Sequence, residues 1–107
     1  TCISKSDIYE VRSFSKPPDA VLMTVSALFV LLCGKGYSWN TARRALSHVD
    51  HIFQEMSCLI PHNLRQSQLN ELERYTNNPA FRPEKILPVS KAAAKISALG
   101  VGMAKGF

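Results

Sequence analysis

Hydrophobic and polar positions divide the chain into stretches of helical period. Residues 12 to 34 make the clearest one. A charged lead-in stops at Pro17-Pro18, and from Ala20 to Cys33 only Thr24 and Ser26 are polar. Proline lacks an N–H and clashes with the preceding turn, so the pair ends whatever precedes it and suits the opening of a new helix. Asp19 falls in the first turn, where a negative charge suits the helix dipole. Gly34 is a natural stop. The spacing predicts one helix, apolar nearly all round and buried on most of its surface.

The segments on either side are shorter. In residues 1–15, Ser4, Ile8, Val11 and Ser15 fall at 4-3-4 spacing, with Phe14 as a side contact. Only two of these four are apolar, so this helix needs a partner. Ser38 is an N-cap candidate for a helix whose face carries Trp39, Ala42 and Leu46. Val49, Ile52, Phe53 and Met56 repeat the pattern, with Asp50 or Ser47 as cap and Cys58-Leu-Ile-Pro61 as the close. Asn63 and Gln66 resemble a capping box. The helix after them turns Leu69 and Leu72 inward, with Tyr75 near that face and Gln68, Glu71, Glu73 and Arg74 outward. Asn77-Asn78-Pro79 ends it.

Pro83 opens a short turn carrying Ile86 and Leu87, stopped by Pro88. Ser90 caps a last helix in which Ala92, Ile96, Leu99 and Met103 form a cleaner heptad. No stretch alternates with period 2, so the fold class is all-α. Each coil-like end lacks a neighbour in sequence, and pairing the two satisfies both. The expected architecture is a bundle of about six short helices at the tip of an antiparallel coiled coil. Its parts are residues 1–15 outgoing, 16–90 globular, and 91–107 forming the last bundle helix and returning strand of the coil.

Size fits one domain of 107 residues. A net charge of +5 favours an acidic partner: nucleic acid, anionic lipid or an acidic protein surface. The longest apolar run is short of the roughly 20 residues that span a bilayer. It also starts too late, behind mixed charges, for a signal peptide. Cys2, Cys33 and Cys58 are scattered and odd in number, which points to a reducing compartment. His48, His51, Cys58 and His62 fit no common zinc spacing, and Gly34-Lys35-Gly36 lacks the spacing of a phosphate loop. Nothing places serine, histidine and aspartate together as a catalytic triad.

The layout and particular residues resemble the microtubule-binding domain at the tip of the dynein heavy-chain stalk. The resemblance covers about Ile8 to Ile96. It rests on the lead-in Glu10-Val-Arg-Ser-Phe-Ser-Lys-Pro-Pro18, on Ala20-Val21, and on the apolar helix ending Leu31-Leu32. Ser38-Trp39 adds to it, as do Asn78-Pro-Ala-Phe-Arg-Pro-Glu-Lys-Ile86 and Val89-Ser-Lys-Ala-Ala93. The variant looks axonemal rather than cytoplasmic. The chain departs from the family pattern at Leu22, where a lysine is usual, at Leu99, where a tryptophan is usual, and at Pro88.

The resemblance implies a binding module of a motor, not an enzyme, acting in the cytoskeleton and in the axoneme of a cilium or flagellum. ATP and magnesium then belong to the distant motor ring of the parent chain, with no cofactor or metal here. It implies microtubule contacts at Lys16, Arg43, Arg44, His48, Lys85, Lys91 and Lys95, with Pro17-Pro18 as a hinge; Glu84 falls among these cations in sequence, and its charge is expected to weaken the grip on an acidic partner. The expected partner is α/β-tubulin, with no nucleic acid or membrane, and the fragment is expected to be monomeric. The alternative from another class is a small basic nucleic-acid-binding domain, with Arg43 and Arg44 at phosphates. Microtubule cosedimentation against a DNA gel shift at matched salt separates the two: pelleting without a shift is expected.

Overall fold

The computed structural model describes residues 3–36, 38–58 and 64–105. Cys2, Leu59-Ile60-Pro61, His62 and Asn63 lie outside the described residues. Among the described residues seven helices follow in order: α1 Lys5–Arg12, α2 Asp19–Cys33, α3 Trp39–Leu46, α4 Val49–Ser57, α5 Gln66–Thr76, α6 Pro83–Ile86 and α7 Lys91–Lys105. No strand occurs among the described residues.

The central element is α2. Pro18 stands at its N-cap in extended geometry, φ −61° and ψ 160°, and Asp19 is in its first turn. Gly34 ends it at φ 87°, a left-handed conformation that only glycine adopts without strain. One side of α2, with Val21, Val25, Leu28 and Phe29, packs into a cluster with Ile8, Val11, Leu46, Ile52, Ile86 and Ile96. The other side, with Ala27, Val30 and Leu31, joins Leu72, Phe81 and Met103. Two cores share one helix, which is why its sequence is apolar all round. Thr24, buried at 0% exposure, bonds its hydroxyl back to the Ala20 carbonyl at 2.7 Å.

Local caps partly follow the expectations. Ser38 is the N-cap of α3, but its hydroxyl donates to Thr41 Oγ1 at 3.2 Å rather than to backbone. The cap of α4 is His48, not Asp50 or Ser47; Asp50 falls in the first turn, where its charge suits the dipole. For α5 the cap is Arg65, whose N–H donates to Gln68 Oε1 at 2.9 Å.

Gln68 is the clearest correction, since its polarity predicts an outward side chain. It is 8% exposed, and its amide donates to the carbonyls of Val30 and Leu31 at 3.2 Å. The Val30 carbonyl already accepts from the Gly34 N–H at 3.0 Å, so the Gln68 amide adds a second donor there and supplies one from α5 to the Leu31 carbonyl at the end of α2. Ser90 caps α7 as expected, accepting from the Ala93 N–H at 3.1 Å. Leu87, on the turn after α6, is 51% exposed.

The two ends pair antiparallel. Asp7 meets Lys95, Glu10 meets Ser90 and Ala92, and Ile3 and Leu99 line one crevice. The seam is nevertheless short. Ile8, Val11, Ala92 and Ile96 lie in the first core, whereas Met103, expected on the same heptad seam, is buried in the second core beside α2 and α5. Over its described length α7 runs along the body, whose extents are 32 × 29 × 25 Å. The antiparallel pair is therefore part of the globule here.

Gly100 sits in the middle of α7. A Cβ built there meets Phe81 Cζ at 3.5 Å and Leu72 Cδ1 at 3.9 Å, both ordinary contacts. Gly100→Ala is therefore expected to raise stability by about 0.5–1 kcal/mol in urea unfolding. A loss of stability would mean that the second core is tighter than these distances.

Candidate functional site

Two acidic residues on α1 fix its position against α7. The Glu10 carboxylate accepts from the Ser90 hydroxyl at 2.6 Å and from the Ala92 N–H at 3.1 Å. It thus places a negative charge at the N-terminus of α7, where unpaired N–H groups and the helix dipole favour an anion. One turn earlier, Asp7 accepts from its own cap residue, Ser4, at 2.8 Å, and pairs with Lys95 Nζ at 3.3 Å. Burial opposes the charge on Asp7, but the Ser4 N–H and the Lys95 ammonium outweigh it and hold the carboxyl below the ordinary aspartate range. On the far side of α1, Lys5 reaches Asp50 of α4 at 2.7 Å, and this hydrogen bond raises the lysine.

The outer surface beside α1 is cationic. Arg43 and Arg44 on α3, with Arg12 of α1, line one open depression together with Asn40 and Ser47. An adjoining depression contains Tyr9, Ser47, His48, Asp50 and His51. The guanidinium of Arg12 lies over the Tyr9 ring, 5.4 Å from its centroid. Arg43 and Arg44 are exposed and make no ion pair among the described residues. The structure thus brings Arg43, Arg44 and His48 together and adds Arg12 and Tyr9.

The other candidates are dispersed. Lys16 is exposed in the bend between α1 and α2, just before the half-buried Pro17 and exposed Pro18. Lys85 on α6 and Lys91 at the start of α7 are exposed, and Lys95 is engaged with Asp7. Glu84 does not join the arginines: it lines a separate depression with Glu73, Thr76, Asn77, Arg82 and Val101. Among the described residues no group of three histidine, cysteine or acidic side chains is placed to hold a metal, and Cys33 and Cys58 are free and exposed.

A basic face on an all-α body with paired ends is the arrangement to compare with known proteins. The family profile described as the microtubule-binding stalk of dynein motors matches residues 1–106. The chain belongs to this family.

Relatives of this stalk domain are axonemal and ciliary. Human dynein axonemal heavy chain 6 is 38% identical over 88 residues, 82% of this chain. The ciliary dynein beta chain of Tripneustes gratilla is 31% identical over 110 residues, 98% of this chain. The dynein-1-beta heavy chain of the flagellar inner arm I1 complex of Chlamydomonas reinhardtii is 33% identical over 92 residues, 86% of this chain. The stalk domain spans about 2% of the length of each of these relatives.

Sequence patterning missed Asp7, Glu10 and Arg12 because their contacts are tertiary. The one available signal was helical spacing. Asp7 and Glu10 flank Ile8 and Val11 on the inward face, where a carboxylate must find a donor.

Asp7→Asn is expected to cost the stalk domain about 1–2 kcal/mol at neutral pH. The folded-state carboxyl titrates below its ordinary value of 3.8, so its stabilisation is present above that value. It is lost as pH falls through the lower folded value. The gap between wild type and Asp7→Asn in denaturant midpoints should therefore close in acid. A constant gap would show that the charge of Asp7 contributes nothing.

Proposed function

We propose that this stalk domain grips the acidic surface of α/β-tubulin through its cationic residues, as the binding module of an axonemal dynein. The observation that carries the reading is the unpaired, exposed Arg43 and Arg44 beside His48, in a chain of the microtubule-binding stalk family. Lys16, Lys85, Lys91 and Lys95, dispersed elsewhere on the body, add further cationic contacts. Lys95 contributes less, because Asp7 already neutralises part of its field. Contacts of this kind steer association and weaken with salt. Glu84 sits next to Lys85 in sequence and opposes an acidic partner at a distance.

Affinity is switched by the outgoing helix sliding against the returning one, with Pro17-Pro18 as the hinge that passes the movement to α2. The polar contacts of Asp7 and Glu10 define the register seen here. A one-turn shift would bring Ile3 or Val11 to the place of Asp7, and Ser6 or Phe14 to that of Glu10. A four-residue shift would leave no carboxylate facing Lys95 or the N-terminus of α7, and a three-residue shift would keep only one of the two contacts, made by the other carboxylate. ATP hydrolysis, with its magnesium, belongs to the motor ring of the parent heavy chain. The setting is the axoneme of a cilium or flagellum, and the fragment is monomeric.

Microtubule pelleting across a salt series tests the reading. Binding should fall steadily with salt, and Arg43→Glu with Arg44→Glu should weaken it about tenfold, since exposed charge contacts are each worth up to about 1 kcal/mol. Glu84→Lys should tighten it by less than about threefold, as expected of a charge outside the arginine depression. Pelleting that ignores salt and both arginines would sink the proposal.

A further inference from the structure

We infer that Ser47 is a phosphorylation site, and that Arg12, Arg43 and Arg44 hold the phosphate once it is attached. Modification and capture involve only this chain's own side chains. The effect on microtubule affinity rests on the binding reading above.

Ser47 is exposed in the two-residue link between α3 and α4. It lines one depression with Arg12, Asn40, Arg43 and Arg44, and the adjoining one with Tyr9, His48, Asp50 and His51. Arg44 precedes it by three residues and Arg43 by four. Kinases choose substrates by such charge patterns, and those of the basophilic class select arginine just before the acceptor serine. Ser47 still has helical geometry, φ −67° and ψ −20°, so the same spacing puts both arginines on its side of α3. The residues that mark the serine in sequence thus also flank it in space. Ser15 follows Arg12 by three residues, but Val11 stands where a second arginine would be.

In the transfer the Ser47 hydroxyl oxygen attacks the γ-phosphorus of ATP. A new O–P bond forms, the bond to the β-phosphate oxygen breaks, ADP leaves and the hydroxyl proton is released. That hydroxyl otherwise donates to the Arg44 carbonyl at 2.5 Å. Its loss is tolerable, because the carbonyl keeps the Ser47 N–H at 3.3 Å. A kinase needs the acceptor in an opened chain, and the end of an eight-residue helix frays readily.

Phosphoserine carries a charge of about −1.5 to −2 at neutral pH and three acceptor oxygens. Three guanidinium groups line the depression, and no carboxylate does. Their forks match phosphate two bonds at a time. The helix ends at Ser47 oppose each other: the C-terminus of α3 repels an anion and the N-terminus of α4 attracts one. The arginines therefore decide. Asp50, across the link, is already paired with Lys5 at 2.7 Å. Phosphate lowers the charge of the depression from that of three cations to about +1. Because Arg12 belongs to α1, phosphate held by all three arginines also ties α1 to α3.

Treating the full chain with ATP and a serine kinase selective for arginine three residues before its target tests the acceptor by mass spectrometry. Ser47 should be modified, and Arg44→Gln should lose most of the incorporation. Modification confined to other serines, Ser15 included, overturns the site. Phosphoserine introduced biosynthetically at position 47 tests capture without a kinase. Its second ionisation, followed by phosphorus NMR, should fall below the ordinary value of about 6 and return toward it in Arg12→Gln. If Arg12→Gln disturbs α1, Arg43→Gln carries the same test from α3. A phosphate that titrates at its ordinary value beside all three arginines overturns the capture.

Microtubule pelleting of the phosphorylated chain should weaken about three- to tenfold. Undiminished pelleting with the phosphate captured overturns the effect on affinity. An unmodified chain that fails to pellet sinks the microtubule reading instead, and mass and NMR spectra still decide modification and capture.

Discussion

The bond between Glu10 and the start of α7 sets the position of everything outside the core. It joins residues eighty apart in sequence, and it satisfies three needs together. A half-exposed helix of eight residues gains an anchor it cannot supply for itself. The first turn of α7 gains a partner for a free N–H. The register of the two ends becomes definite, because only a carboxylate at that position answers the positive end of the helix. Apolar contact between Ile8, Val11, Ala92 and Ile96 tolerates small displacements. A short, charge-assisted bond does not. The Asp7–Lys95 pair, one turn away, reinforces the same alignment.

Much of the fold was legible in the pattern of residues. The α2 boundaries, the stop at Gly34, the inward faces of α3 and α4, the cap at Ser90 and the antiparallel ends all follow from local rules. What escaped was tertiary polarity. Gln68 reads as a surface residue by type, yet it is buried where α2 ends beneath it, its amide donating to the last carbonyls of that helix. Met103 reads as a continuation of the coil seam, yet it turns to the second core, which α2, α5 and Phe81 create only once assembled. Candidate contacts with a partner were half legible. Arg43 and Arg44 stood out as a pair, but the addition of Arg12 depends on how α1 lies across α3, and no spacing rule gives that.

The charge distribution is uneven in a useful way. Acidic residues on the α1 side are spent internally: Asp7 on Lys95, Glu10 on α7, Asp50 on Lys5. The nearby arginines are left without such partners. Hence the net charge of +5 understates the field that an approaching partner meets there. Glu73 and Glu84 share a separate depression next to the C-terminal half of α7. Arg82 lines that depression as well, so its charge is mixed, whereas the arginine depression carries three cations.

Six residues separate α1 from α2, two of them prolines with restricted backbone rotation, and Phe14 within the link packs against the first core. Pro18 is extended. Such a connection behaves as a strut rather than a tether. An axial push on the short helix would meet the base of the long one with little slack, and that long helix belongs to both cores.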